Sequence, residues 1–246
     1  MTTPLKSMGA FELRCALITE TKDADVQWSN DTSEQMFKHA VDHVHELHDG
    51  QYRQPRGNCE KPPYVEHPLR NTLRLVRWGC QDGEVLIASL LHDTVEDCAH
   101  RLIDQPKKKV DPVEARQGAT EVLTQVYGTN VTHIVIGVSN PILPSKASHV
   151  EKVNSYVDHI VSDDPQVQAV KTTDLYDNPG SLYHSITEAF APRARRMHTK
   201  YAMALPVFMD SIVDEGVAGL SGDDMLRHLS KVQSNLDKAD EMLKAV

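Results

Sequence analysis

Three things that this sequence lacks narrow the kinds of protein it can encode. Its four cysteines have no Cys-x-x-Cys spacing, which argues against a disulfide framework and a thiolate zinc site. No apolar run approaches the roughly 20 residues of a membrane-spanning helix, and the start lacks a signal peptide's apolar segment. Acidic residues outnumber basic ones, 35 to 26, and the formal charge of −9 argues against general nucleic-acid binding. We therefore expect a cytoplasmic, soluble protein without nucleic-acid or membrane partners.

Helical periodicity is the main pattern that the chain does show. Apolar residues recur at helical spacing, and no stretch shows a convincing strand pattern or an internal repeat. The pattern predicts a first helix that starts at Asp31 and stops before Gly50. Further helices are predicted from residue 69 onward and over 82–97, 111–127, 131–138, 150–161, 165–178 and 225–243, with a kink or break at Pro206. The expected fold class is all-α.

The same pattern suggests how the chain is divided. Residues 1–30 lack sustained periodicity and are predicted to form a loosely held arm, followed by a helical domain over 31–215. The segment 216–246 carries a short apolar seam made of Met225, Leu229, Val232, Leu236, Ala239 and Leu243. Because a seam of this length cannot stand alone, we expect it to pack on the body of the protein or on a second copy, which would give a homo-oligomer.

Polar residues that can do chemistry are concentrated at the end of the 82–97 helix. On a continuous helix, at about 100° per residue, His92, Asp93, Glu96 and Asp97 share one arc, and the opposite side is apolar. Three carboxylates this close repel one another unless a cation lies among them, and a divalent metal ion is the simplest such cation. The alternative interpretation is that these polar residues form a solvated helix end, and the apolar character of the rest of the helix argues against it.

Other polar groups could complete or compete with this site. Lys171, Asp174 and Asn178 project from one face of the 165–178 helix, so Asp174 could complete a metal sphere, with Asp177 as the competing carboxylate. The alternative for this face is a surface salt-bridge trio. His39 and His43 lie one helical turn apart among 13 histidines, but no carboxylate or thiolate completes a zinc site there, so a solvated face is favoured.

Five motifs in order make the pattern specific. They are HxGQYR at 48–53, PYxxHP at 63–68, LLHDxVED at 90–97, YGxxVxxIVxGVS at 127–139 and VKxxDxxxN at 170–178. Together they resemble the HD-superfamily hydrolase domain of RelA/SpoT-type alarmone enzymes over roughly residues 35–180, in the form of a stand-alone small alarmone hydrolase. The resemblance implies an HD-domain helical bundle with a central metal site. It also implies removal of the 3′-pyrophosphate from (p)ppGpp with one Mn²⁺ per chain.

The resemblance also implies roles for individual residues. The implied metal ligands are His67, His92, Asp93 and Asp174, the pair that positions the attacking water is Glu96 and Asp97, and the substrate-binding residues are Arg53 and Asn178. Lys171 is a further cation that could stabilise charge on the phosphoryl oxygens. Two imidazoles and two carboxylates with open positions suit Mn²⁺ better than a closed zinc site.

The chain departs from the family pattern in ways that leave the nucleotide open. It is longer between Arg53 and His67, Leu175 stands where the family has arginine, and Pro179 with Gly180 interrupts the helix. One alternative is therefore an HD phosphohydrolase of another nucleotide, such as the 2′-phosphate of NADPH or a deoxynucleotide. Another is a non-catalytic nucleotide-binding regulator.

A run of positive charge follows on the next predicted helix. Arg195, Arg196 and Lys200 are candidates for contacts to distal phosphates, with a solvated charged face as the favoured alternative.

Overall fold

The computed structural model of the protein describes residues 3–29, 32–55 and 60–246, and helices joined by loops make up its regular structure. The helices run in the order α1 (Ala10–Asp23), α2 (Glu34–Leu47), α3 (Glu66–Arg77), α4 (Gly83–Leu91), α5 (Thr94–Asp97), α6 (Ala99–Leu102), α7 (Pro112–Tyr127), α8 (Thr129–Val138), α9 (His149–Ile160), α10 (Pro165–Asp177), α11 (Ala191–Ser211) and α12 (Gly222–Ala245). Two 3-10 segments, Leu5–Ser7 and Pro179–Ser185, complete the order. The described residues form no β-sheet, and the predicted all-α class is confirmed.

The N-terminal segment differs from the prediction of a loosely held arm. Residues 10–23 form helix α1, which packs against α3 and buries Leu13 and Leu17 completely. An ion pair between Glu20 and Arg77, at 2.7 Å, joins the same two helices. The apolar stripe of α1 is short and its other faces are polar, so the periodicity is too weak to stand out from sequence.

The start of α2 also differs from the sequence reading. Ser33 caps this helix, since its hydroxyl oxygen accepts the amide hydrogen of Met36 at 3.1 Å. Asp31, the predicted start, lies outside the described residues. So do residues 56–59 of the 54–62 insertion.

The predicted helix over 82–97 is interrupted, because α4 ends at Leu91 and α5 begins at Thr94. Two side chains form hydrogen bonds with backbone carbonyl groups at this point. His92 Nδ1 lies 2.8 Å from the carbonyl oxygen of Ser89, and the Thr94 hydroxyl donates to the carbonyl oxygen of Leu91 at 2.6 Å. Side chains that bond to the backbone compete with the regular helical hydrogen bonds. The prediction that His92, Asp93, Glu96 and Asp97 share one face of a continuous helix is therefore wrong.

Two apolar cores fill the molecule, and α10 passes between them. The first core is built mainly from α1 to α8, and α10 adds Val167 and Val170 to it. The second core is built from α9, α11, α12 and the 3-10 segment after α10, and α10 adds Leu175. Helix α10 therefore carries its polar residues to the place where the two cores meet.

The C-terminal seam packs on the body of the same chain. All six of its predicted residues are buried, with Met225 in the first core and the other five in the second. Helix α11 continues through Pro206 without a break. The predicted homo-oligomer and the predicted boundaries at residues 31 and 216 stay predictions. Within the described part of the chain, no helix has the length and apolar character to cross a membrane.

Candidate metal centre

Four side chains from three helical segments converge near the junction of the two cores. His67 lies in the first turn of α3, His92 and Asp93 occupy the interruption after α4, and Asp174 lies on α10. His67 Nε2 is 3.5 Å from Asp93 Oδ2 and 3.3 Å from Asp174 Oδ1. His92 Nε2 is 3.2 Å from the same Asp93 oxygen and 3.8 Å from the same Asp174 oxygen. Such spacings are those of ligands that share one small cation.

Both imidazoles are held so that Nε2 faces the shared point. His67 Nδ1 lies 2.8 Å from Asp177 Oδ2, and His92 Nδ1 is bonded to the Ser89 carbonyl. Partners of this kind on Nδ1 fix the orientation of metal-ligating histidines. Among the residues that the structure describes, no group makes a hydrogen bond of regular geometry with the buried His92 Nε2, although Asp93 Oδ2 lies 3.2 Å away. A buried nitrogen without a partner beside two carboxylates fits a divalent metal ion, and the two-imidazole, two-carboxylate set leaves positions open for water.

The charges at this point also call for a cation. Burial disfavours a charged carboxyl, but hydrogen bonding from His67 and the charge of Lys171 outweigh it and lower the pKa of Asp174 to about 2. The pKa of Asp93 is likewise well below its ordinary value, since His92 outweighs burial. Burial acts to lower the pKa of His92, yet Asp93 and Asp174 raise it to about 9. The two carboxylates are therefore negatively charged and favour a cation in the space between the imidazoles.

Glu96 and Asp97, the predicted catalytic pair, flank the four ligands on α5. Both oxygens of Glu96 accept hydrogen bonds from Asn140, whose backbone N lies 2.7 Å away and whose side-chain Nδ2 lies 3.1 and 3.0 Å away. Glu96 keeps an exposed edge, yet desolvation by its surroundings and the charge of Asp93 raise its pKa. The same two causes raise the pKa of Asp97. A carboxylate with a raised pKa is a better proton acceptor near neutral pH.

The predicted substrate-binding residues Arg53 and Asn178 lie together beside the site. The Arg53 guanidinium donates to Asn178 Oδ1 and, at 3.2 Å, to Asp177 Oδ2. Asn178 in turn donates to Asp174 Oδ1 at 2.6 Å, which connects this pair directly to a metal ligand. Both residues line a cavity of about 500 Å³.

Lys171 is placed differently from Arg53. It is buried, donates to the Val138 carbonyl at 2.9 Å, and lies 3.7 Å from Asp174 Oδ2. Its ammonium group therefore faces the metal ligands, and a direct contact with substrate stays a prediction.

A second cavity, of about 680 Å³, lies between the loop after α8 and helices α9 and α11. Arg193 and Met197 line both cavities, so the two cavities are adjacent, and together they are called the cleft below. Arg196 and Lys200 also line the second cavity, where the Lys200 ammonium lies 4.0 Å from the centre of the Tyr156 ring. Arg196 is exposed, as the favoured solvated-face interpretation predicts, whereas Lys200 is half-buried.

Arg195 belongs to a different environment. Its guanidinium donates to the carbonyl of Leu243 in the C-terminal helix.

Sequence reasoning missed several residues that support the site. Asn140 follows the GVS of one motif directly, and Tyr64, whose hydroxyl donates to Asp93 Oδ2 at 2.7 Å, lies inside another motif. Their positions next to the motifs were the available signal. His39 and His43, considered for zinc, both place Nδ1 near the hydroxyl of buried Tyr127, at 3.1 and 2.9 Å. This gives them a structural partner.

Comparison with solved structures gives the fold. A structure described as a metazoan orthologue of SpoT that hydrolyzes ppGpp matches with a TM-score of 0.58 and 18% identity, over 83% of this chain and 98% of that chain. No family model matches the sequence. The structural likeness shows the fold, an HD-type helical bundle, with the His/Asp cluster at its centre. The fold predicted from the motifs is confirmed.

Comparison with curated proteins identifies the relatives. The chain is 27% identical over 175 residues to the zebrafish (Danio rerio) protein named guanosine-3′,5′-bis(diphosphate) 3′-pyrophosphohydrolase MESH1, covering 70% of this chain and 83% of that protein. It is 29% identical over 135 residues to a probable GTP pyrophosphokinase of Mycobacterium leprae and 27% identical over 147 residues to an Aquifex aeolicus protein with the same pyrophosphohydrolase name. The matches cover only 15% and 18% of those two longer proteins. The predicted resemblance to a stand-alone HD-type alarmone hydrolase is confirmed.

Proposed function

We propose that this protein is a Mn²⁺-dependent phosphohydrolase that removes the 3′-pyrophosphate of ppGpp-type alarmones. One observation carries the proposal: the Nε2 atoms of His67 and His92 both lie within 3.2 to 3.8 Å of Asp93 Oδ2 and Asp174 Oδ1. The match over most of the length of a zebrafish protein named for this activity supports the choice of substrate.

The reaction is a hydrolysis in which water attacks the 3′-linked phosphorus. The bond from that phosphorus to the ribose 3′-oxygen breaks, pyrophosphate leaves, and the ribose oxygen takes a proton. A divalent ion held by the four ligands would supply Lewis-acid polarisation and make a bound water more acidic. Its two-carboxylate donor set suits the borderline-hard Mn²⁺.

The residues around the ligands supply proton transfer. Glu96 is held through both of its oxygens by Asn140, so its carboxylate has a fixed direction next to the ligand Asp93. We assign it, with Asp97, to orienting the water and accepting its proton, since a base with a raised pKa suits this role near neutral pH.

Cations in the cleft bind the phosphates. Arg53 and Asn178 line one cavity of the cleft, and Arg196 and Lys200 line the other. We assign the first pair to the reacting pyrophosphate and the second pair to more distant phosphates. Charge fixed in place before the reaction stabilises charge that develops on phosphoryl oxygens. A local basic cleft also explains how a chain of charge −9 can bind a polyanion.

A substrate panel tests the proposal. Purified protein with Mn²⁺ is expected to release pyrophosphate from ppGpp, and EDTA or Asp93→Asn is expected to abolish the release. Glu241→Gln, an exposed change on α12, serves as the matched control. If the protein releases phosphate from NADPH or a deoxynucleotide but no pyrophosphate from ppGpp, the substrate is that other nucleotide and not the alarmone. If the protein binds ppGpp but turns over no substrate, the result favours the alternative of a non-catalytic nucleotide-binding regulator.

A further inference from the structure

Asp177 lies three residues after Asp174, and its carboxylate is surrounded by donors. The residue is 2% exposed. Its Oδ2 oxygen is 2.8 Å from His67 Nδ1 and accepts from Arg53 Nη1 at 3.2 Å. Its Oδ1 oxygen accepts from Arg70 Nε at 2.9 Å and from Arg74 Nη2 at 3.2 Å. One buried carboxylate therefore joins α3, α10 and the loop that carries Arg53.

The two oxygens of Asp177 have different neighbours, and this decides what the residue does. Arg70 and Arg74, one turn apart on α3, both bond to Oδ1, so the group is a carboxylate that only accepts hydrogen bonds. His67 Nδ1 must then be the nitrogen that donates to Oδ2. The lone pair of His67 consequently lies on Nε2, the atom that faces Asp93 and Asp174.

We infer that Asp177 is a positioning residue that fixes His67 for metal binding and ties Arg53 to the same anchor. The arrangement matches the general rule that a ligating histidine donates its other N–H to a carboxylate, which orients the ring and makes it a better ligand. The sharing of Oδ2 between His67 and Arg53 means that the metal side and the phosphate side of the cleft have a common support. The second half of this inference rests on the proposed function, since it takes Arg53 as a substrate contact.

Asp177→Asn tests the inference with little change of shape. Two guanidiniums on one side draw the amide oxygen toward themselves, and the amide NH₂ then faces His67 Nδ1. His67 can accept this hydrogen only in the tautomer whose Nε2 carries a proton, which blocks the metal-binding lone pair. Isothermal titration with Mn²⁺ is expected to show about 10- to 100-fold weaker binding. The KM for ppGpp at saturating Mn²⁺ is expected to rise about tenfold, because Arg53 loses a charge-assisted partner.

Arg74→Gln is the matched control, because it removes a donor from the same carboxylate and Arg74 bonds directly to Asp177 and Asn71 but not to His67 or Arg53. A purely structural role for the network predicts equal effects of the two variants on Mn²⁺ affinity. Positioning predicts that Arg74→Gln lowers the melting temperature while Mn²⁺ affinity stays at the wild-type value. A second control, Asp163→Asn in the exposed loop before α10, is expected to change neither.

The outcomes separate this inference from the proposed function. Wild-type protein that fails to bind Mn²⁺ overturns the metal-dependent function itself. Folded Asp177→Asn with wild-type Mn²⁺ affinity overturns the positioning role alone. If Asp177→Asn does not fold, NMR of Mg²⁺-loaded wild-type protein decides. A downfield, slowly exchanging Nδ1 proton of His67, assigned by its loss in His67→Gln, supports the role, and its absence overturns it.

Discussion

Replacing Glu96 with glutamine separates proton transfer from metal binding. Glu96 is not one of the four convergent ligands, and the change keeps the length and shape of the side chain. Removing a general base costs about 10²- to 10⁴-fold in turnover, which corresponds to about 3–5 kcal/mol of transition-state stabilisation. We expect a loss of kcat in this range for pyrophosphate release from ppGpp.

The effect of the same substitution on folding is expected to be much smaller. Asn140 donates to both oxygens of Glu96, so the new amide keeps one acceptor and places its NH₂ against a donor. The loss of one hydrogen bond costs about 1 kcal/mol. For a chain of this size that corresponds to a fall of about 2–4 °C in melting temperature. The difference between about 1 and 3–5 kcal/mol means that misfolding cannot account for the expected loss of activity.

The assay combines steady-state pyrophosphate release with Mn²⁺ titration and thermal melting. Glu96→Gln is expected to bind Mn²⁺ as the wild type does, whereas Asp93→Asn loses the ion together with activity. Glu241→Gln controls for loss of an exposed acidic charge on α12. A Glu96→Gln protein that keeps a tenth or more of wild-type kcat would show that Glu96 is not the base.

Three more predictions concern pH and stability. The raised pKa of Glu96 means that the catalytic carboxylate is protonated at a higher pH than an ordinary glutamate, so kcat is expected to fall on acidification with an apparent pKa above 4.5. Desolvation lowers the pKa of Lys200 to about 8, so its positive charge is lost as pH rises through 8; the KM for ppGpp should rise there, and Lys200→Met should remove that rise. Leu236→Ala empties a fully buried position of α12 and is expected to cost about 2–5 kcal/mol in urea unfolding, while Glu241→Ala changes the midpoint little. An equal effect of the last two substitutions would mean that the seam of α12 does not pack on the body.

The convergence of the four predicted metal ligands could be anticipated because each lies in a short motif with fixed spacing. His67, His92, Asp93 and Asp174 were all named from such motifs, and the structure brings them together. The distinction between Asp174 and Asp177 was harder, since both carboxylates lie on the same predicted helix. Only the packing of α10 against α3 directs Asp174 toward the ligands and Asp177 toward the back of His67.

Two parts of the structure could not be derived from periodicity. The residues of the 82–97 segment are apolar and helix-compatible up to His92, so nothing in the pattern marks the interruption that the His92 and Thr94 side chains produce. At the interruption, His92 Nε2 and Asp93 Oδ2 lie 3.2 Å apart. In a regular helix, successive side chains point about 100° apart, which would hold these two atoms further from each other. Helix α1 was missed for the opposite reason, since its stripe of buried residues is short and its packing against α3 is non-local.

The course of α10 between the two cores would give a bound ion a mechanical role as well as a chemical one. His67, His92 and Asp93 belong to the half of the molecule built around the first core, while Asp174 is carried by the helix that crosses into the second. A cation bound by all four side chains would link the two halves, so its binding free energy would stabilise their packing against each other. Chelation should therefore speed amide hydrogen exchange in α11 and α12, which build the second core.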